Sequence, residues 1–305
     1  MASAPEPTIS PTTVLPPPAK RSRRWLGALL IVISAATFGT LAIFARLAYA
    51  AGANPTTALL LRFAVAGGVL LVVMVVLRRP LPRGRLLLSL ILMGGVGYVG
   101  QSLAYFTALT FASAALVALL LYLYPALVTL LAALFLKERL TRVKLLAVAV
   151  ALAGTVLTIG RAAGGSPVGI ALALAGSLTY AVYIVAGSRV MARAEALSAS
   201  TVIILAAAAV YAPVVALQGP AWPRTPGGWL AVGGMALVAT VIAIVTFFAG
   251  LKLVGPSTAA TLSTVEPVVT VTLAAVVLGE QVTPLQLAGG VLILSAVVVL
   301  ARGGS

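Results

Sequence analysis

One stretch of this chain occurs twice. Residues 105–141 and 247–283 align without a gap at a constant offset of 142, and eleven of the 37 paired positions are identical. Matched Ala and Leu could follow from an apolar composition. The pairs Pro125/Pro267 and Glu138/Glu280 do not, because they place a proline and a glutamate at the same separation in both copies. An internal repeat in a strongly apolar chain is the pattern of secondary transporters built from two related halves.

Composition narrows the class. The chain is 62% apolar and 8% charged, whereas a soluble domain is about a quarter charged. A core of this size has no polar surface with which to face water, so lipid is its solvent. Cys, His and Asp are all absent. That removes disulfides, thiolate or imidazole metal sites, and nucleophiles activated by histidine. No enzyme activity, catalytic residue, metal or cofactor is expected, and no phosphate-binding GxxxxGK[ST] loop occurs. The net charge of +15 sits in short clusters at the ends of apolar runs, which is a membrane-surface distribution and not a nucleic-acid stripe. The expected partners are the lipid bilayer and a small-molecule substrate.

Residues 1–24 read as a proline-rich, disordered cytoplasmic tail ending in Lys20, Arg21, Arg23 and Arg24. The apolar run from Trp25 to Leu47 is longer than the roughly 7–15 residues of a signal-peptide core. Ten spans follow, at about 25–49, 56–77, 86–109, 112–136, 145–160, 167–188, 198–217, 228–251, 256–278 and 285–301, the fifth extending into its flanks. They are too long and too uniformly apolar for barrel strands, so the expected class is an all-α membrane protein with a central cavity. With both termini in the cytoplasm, 16 of the 20 Lys and Arg residues fall inside and four fall outside, as the positive-inside rule requires. Five spans per half is an odd number, so the halves 25–160 and 167–301 are expected to insert in opposite senses. Lys137-Glu138-Arg139 then faces the cytoplasm, while its partner Gly279-Glu280-Gln281, stripped of cations, faces outside.

A transporter needs a few polar groups at mid-membrane and helices that rearrange around them. Pro125 and Pro267 are the candidate hinges, since each removes a backbone donor inside a span. Glu266 is the one carboxylate within a span, and a charge there is costly enough to be expected to face a cavity. Tyr98, Gln101, Ser102 and Tyr105 recur at helical spacing and form the strongest candidate wall. Opposite it stand Thr240, Thr246, Phe247 and Phe248, then Ser257, Thr258, Thr261 and Thr264, whose other use is close helix packing. Tyr180, Thr37 and Phe38 are candidate aromatic or hydroxyl gates. Arg46 and Arg62 lie within two turns of a helix end and are expected to snorkel. Small residues on the fifth and tenth spans suit close packing, either internally or in a homodimer.

The aromatic pair, mid-helix proline and following glutamate (Tyr105-Phe106, Pro125, Glu138; Phe247-Phe248, Pro267, Glu280) resemble the EamA repeat of the drug/metabolite transporter superfamily. The likeness runs over residues 25–301 and is greatest to the YddG-like amino-acid exporters of bacterial inner membranes. It implies a ten-helix basket, with helices 3, 4, 8 and 9 around the cavity and helices 1, 2, 6 and 7 as moving walls. It also implies export of aromatic and other neutral amino acids by alternating access. The family's Glu-Pro pair stands at Glu266-Pro267, but the first half has Tyr124-Pro125. A sugar-phosphate or nucleotide-sugar exchanger would need paired cations in the cavity. A membrane structural protein is the third alternative.

Overall fold

The computed structural model describes residues 21–136, 140–159, 165–191, 193–254, 259 and 262–302. Every regular element among them is helical, and the only strand-like pairing is an isolated bridge between Ala112 and Gly165. Among the described residues, nine helices have the length and hydropathy of a membrane span: α1 (Arg24–Ala50), α2 (Pro55–Val76), α3 (Gly84–Phe111), α4 (Ala114–Phe135), α5 (Arg142–Ile159), α6 (Pro167–Ser188), α7 (Ala196–Gln218), α8 (Pro226–Val254) and α10 (Pro284–Arg302). A shorter apolar helix, α9 (Val265–Leu278), lies between α8 and α10. Large apolar side chains such as Val72, Leu134, Val156, Leu230 and Val276 are exposed on the outside of the bundle. Bare apolar surface of this extent is stable only against hydrocarbon, so this is a multi-pass membrane protein.

Local chemistry sets the helix starts. Asn54 accepts a hydrogen bond from the Thr57 N–H with Pro55 at the first helical position, and Thr225 does the same for the Gly228 N–H ahead of Pro226. Ser113 caps α4 and Glu195 caps α7. Each satisfies a backbone donor the helix itself leaves free. Trp222 and Trp229 stack on each other with centroids 6.3 Å apart, beside the start of α8.

The helices pair as an exchange of the two halves requires. α1 packs along α8 and α6 along α3; α1 also meets α9, as α6 meets α4. The counterparts α2 and α7 lie together, as do α5 and α10. The α5–α10 seam is built on glycine. A Cβ at Gly154 would stand 2.7 Å from the Gly289 carbonyl oxygen, and one at Gly289 would collide with Thr158 and the Gly154 carbonyl. These small residues are spent on packing within the chain.

Four departures from regular helix position the site. The α4 backbone breaks at Tyr122-Leu123, and a matching turn at Ser263-Thr264 precedes α9. Both precede the paired prolines, each of which lacks the N–H that a regular helix would give to the carbonyl four residues back. The freed Leu121 carbonyl accepts from Ser177 Oγ of α6 at 3.1 Å. The Ser263 carbonyl accepts from the Glu266 N–H at 3.0 Å, with the Tyr122 hydroxyl of α4 also 3.0 Å away. In addition, α3 and α8 each contain a π-helical turn, at Met93–Tyr98 and Leu237–Ile242. At the first of these, Gly94 lies so close to Ile203 that a Cβ would enter its backbone.

Candidate substrate site

Two connected spaces run into the bundle. The wider, about 610 Å³, reaches Leu251, Leu300 and Ala301 at the end of the bundle where α10 finishes. The inner chamber, about 130 Å³, is bounded by Leu41, Arg62, Tyr98, Gln101, Tyr105 and Phe106. Phe38, Tyr122, Tyr124, Tyr180 and Glu266 line both and form the neck between them.

Aromatic rings make the walls and the layer behind them. Tyr98, Tyr183, Tyr180, Tyr124 and Tyr122 follow one another with centroid separations of 4.7–6.1 Å, and Phe63 continues the chain from Tyr98 to Tyr211. Most of these contacts are tilted or offset, as ring quadrupoles favour. Glu266 is fixed in the neck because Tyr122 donates its hydroxyl to Oε2 at 2.9 Å. The same hydroxyl lies 3.0 Å from the Ser263 carbonyl, so the turn before α9 in the second half orients the carboxylate through a tyrosine of the first.

The far end of the chamber closes on Arg62, which is 2% exposed. Its Nε donates to Thr240 Oγ1 at 2.9 Å and its Nη2 to the Tyr98 hydroxyl at 3.3 Å. The guanidinium carbon stands 5.0 Å from the Phe63 ring centroid and 5.4 Å from that of Phe106. Beyond it the bundle is tied shut. Arg46 Nη1 donates to the Leu109 carbonyl at 2.7 Å, Tyr49 donates to the Phe106 carbonyl at 3.0 Å, and Thr270 donates to the Gly39 carbonyl at 2.9 Å. The Glu280 carboxylate accepts from the Ala114 and Ala115 N–H groups at 2.8 and 3.1 Å.

Of the residues anticipated from sequence, Tyr98, Gln101, Tyr105, Tyr180, Phe38 and Glu266 meet at the chamber, while Phe247 and Pro125 line the wider space. Thr240 stands behind the wall, holding Arg62. Thr37 turns its hydroxyl onto its own helix, at the Ile33 and Ser34 carbonyls, and lines neither space. Pro267 is buried at the start of α9. Thr261, Ser257 and Thr258 lie outside the described residues. Arg46 and Arg62 do not snorkel: the first binds a carbonyl in the last turn of α3, and the second is held inward by Thr240 and Tyr98. Tyr122 and Tyr124 were not anticipated; their proximity to Pro125 was the available signal.

The sequence pattern of the EamA-like transporter family matches this chain twice, at residues 25–160 and 167–302. The chain belongs to the EamA-like transporter family. Among its relatives, the "Uncharacterized inner membrane transporter YedA" of Escherichia coli strain K12 is 33% identical over 156 residues, half of each chain. Its counterparts in strains O6:H1 and O157:H7 match equally. This EamA-like chain thus spans about half the length of the curated relatives it matches. A solved crystal structure with 27% identity superposes with a TM-score of 0.67, covering 93% of this chain and 99% of the other.

Proposed function

We propose that this EamA-like transporter exports amino acids, aromatic and other neutral ones foremost, across a bacterial inner membrane by alternating access, as the YddG-like branch of the family does. The observation that carries the reading is the neck. Phe38, Tyr122, Tyr124 and Tyr180 offer ring faces and hydroxyls beside a lone carboxylate, Glu266. An amino acid brings an ammonium group for the carboxylate and a side chain for the rings.

The halves 25–160 and 167–301 are threaded in opposite senses with both termini in the cytoplasm, a reading supported by the distribution of Lys and Arg. The wider space then opens to the cytoplasm and the tied end faces outside. Export proceeds as Pro125 and Pro267 hinge the broken helices, closing the inner mouth and releasing the outer ties. Flux of radiolabelled amino acids in proteoliposomes tests the function. Saturable counterflow is expected for tyrosine, phenylalanine or leucine, and its absence for every amino acid rejects the reading.

A further inference from the structure

Arg62 is a cation without an anion. Among the described residues it has no carboxylate within ion-pair reach, and its hydrogen bonds engage Nε and Nη2 only. Every fully enclosed side-chain nitrogen and oxygen among those residues has a partner, so Nη1 faces open space, and the space beside Arg62 is the chamber. A guanidinium is costly to bury without an opposite charge. Here it is also aimed. Its two partners, Tyr98 and Thr240, lie in the π-helical turns of α3 and α8, and such turns recur at functional sites. Thr240 passes its own proton to the Met235 carbonyl at 2.9 Å, which leaves its lone pair for Nε.

We infer that Arg62 is the carboxylate subsite of the transporter, with Glu266 taking the ammonium group of the same molecule, so that the chamber recognises a zwitterion. This deepens the amino-acid reading and rests on it for the ammonium half. One guanidinium and one carboxylate line a single chamber without pairing with each other, and their charges sum to zero. A ligand matching both carries one charge of each sign. A phosphate would meet a single cation and be repelled by Glu266, whereas a free carboxylate can take two parallel bonds from a guanidinium fork. Gln101, nearly one turn of helix from Tyr98, presents an amide to the same chamber.

The test compares transport of L-phenylalanine with that of phenylalaninamide, phenethylamine, phenylpropionate and a hexose phosphate, in proteoliposomes of the wild type, Arg62→Gln and Arg62→Lys. Wild type is expected to prefer the amino acid over its amide by roughly ten- to a hundredfold, the worth of a charge-assisted bond. In Arg62→Gln that preference collapses to parity, and in Arg62→Lys part of it returns. Thr240→Val, which removes the Nε acceptor, shifts the ratio in the same direction. The wild-type ratio needs no variant to fold. Equal transport of acid and amide by the wild type overturns the carboxylate subsite and leaves amino-acid export standing. Arg62-dependent transport of phenylpropionate with no amino acid moved upholds the subsite and rejects the amino-acid reading. Preference for the hexose phosphate overturns the inference, and no transport across the panel overturns both.

Discussion

On the proposed orientation, Glu280 is the point at which the outer closure can be weakened without touching the chamber. It stands past the C-terminal end of α9, and its two carboxylate oxygens hold the Ala114 and Ala115 N–H groups at 2.8 and 3.1 Å. It thereby ties the second half of the chain to the first at the start of α4. In Glu280→Gln one oxygen becomes an NH₂ facing an N–H donor, and the negative charge beside a helix N-terminus is lost. The surviving bond is neutral. The difference between two charge-assisted bonds and one neutral bond, with a smaller helix-dipole contribution, is about 2 kcal/mol. If the tie exists only while the outside is closed, that shifts the closed-to-open ratio by about thirtyfold. The chain lacks cysteine, so a single Leu41→Cys reports the chamber wall against no background. A membrane-impermeant maleimide applied from outside should label it faster by that order in Glu280→Gln than in its Glu280 parent. Unchanged outside labelling in a variant that still binds substrate would refute the tie.

Three further outcomes follow from the packing. Tyr122→Phe removes the hydroxyl that holds the Glu266 carboxylate and should lower thermal stability in nanodiscs by about 1–3 kcal/mol; wild-type melting would count against it. Gly154→Val drives side-chain atoms into the α5–α10 seam, where a Cβ already meets the Gly289 oxygen, and should cost at least about 1–3 kcal/mol. Gly233→Ala, with open space at that position, should be neutral or stabilising by up to about 1 kcal/mol in the same melts. At the start of α7, burial works against ionisation of Glu195, but hydrogen bonds from the Ser198 backbone and hydroxyl outweigh it and hold the carboxyl below its usual range. A lowered folded value means this stabilisation is present above the ordinary carboxylate range and disappears as pH falls through the lowered value. Glu195→Ala should therefore destabilise by about 1 kcal/mol near neutrality and melt like the wild type in strong acid.

The helices and the tyrosine face of α3 were legible because lipid imposes long apolar runs and helical spacing carries side-chain direction. Glu266 was legible as an isolated charge in such a run. Arg62 was misread, since distance from a helix end is a one-dimensional measure and the Thr240 hydroxyl that turns the side chain inward is 178 residues away. The π-helical turns were invisible for a similar reason: close approach of Gly94 to the Ile203 backbone comes from the meeting of two helices. Tyr122 and Tyr124 were hidden because the break before Pro125 re-aims them, and regular helical periodicity cannot place residues across a break.

The hydrogen bonds that cross between the halves at the two proline breaks constrain how the polypeptide reaches its folded form. As the ribosome delivers the chain, α4 enters the bilayer before Ser177, the donor for its Leu121 carbonyl, has been synthesised. An amino-terminal fragment ending after α5 would carry that carbonyl into hydrocarbon unpaired, at a penalty of several kcal/mol. The separate carboxyl-terminal fragment would lack Tyr122 and leave the Glu266 carboxylate without its hydroxyl donor. Neither fragment is self-sufficient, yet two co-expressed pieces severed between α5 and α6 hold everything needed to mend each other.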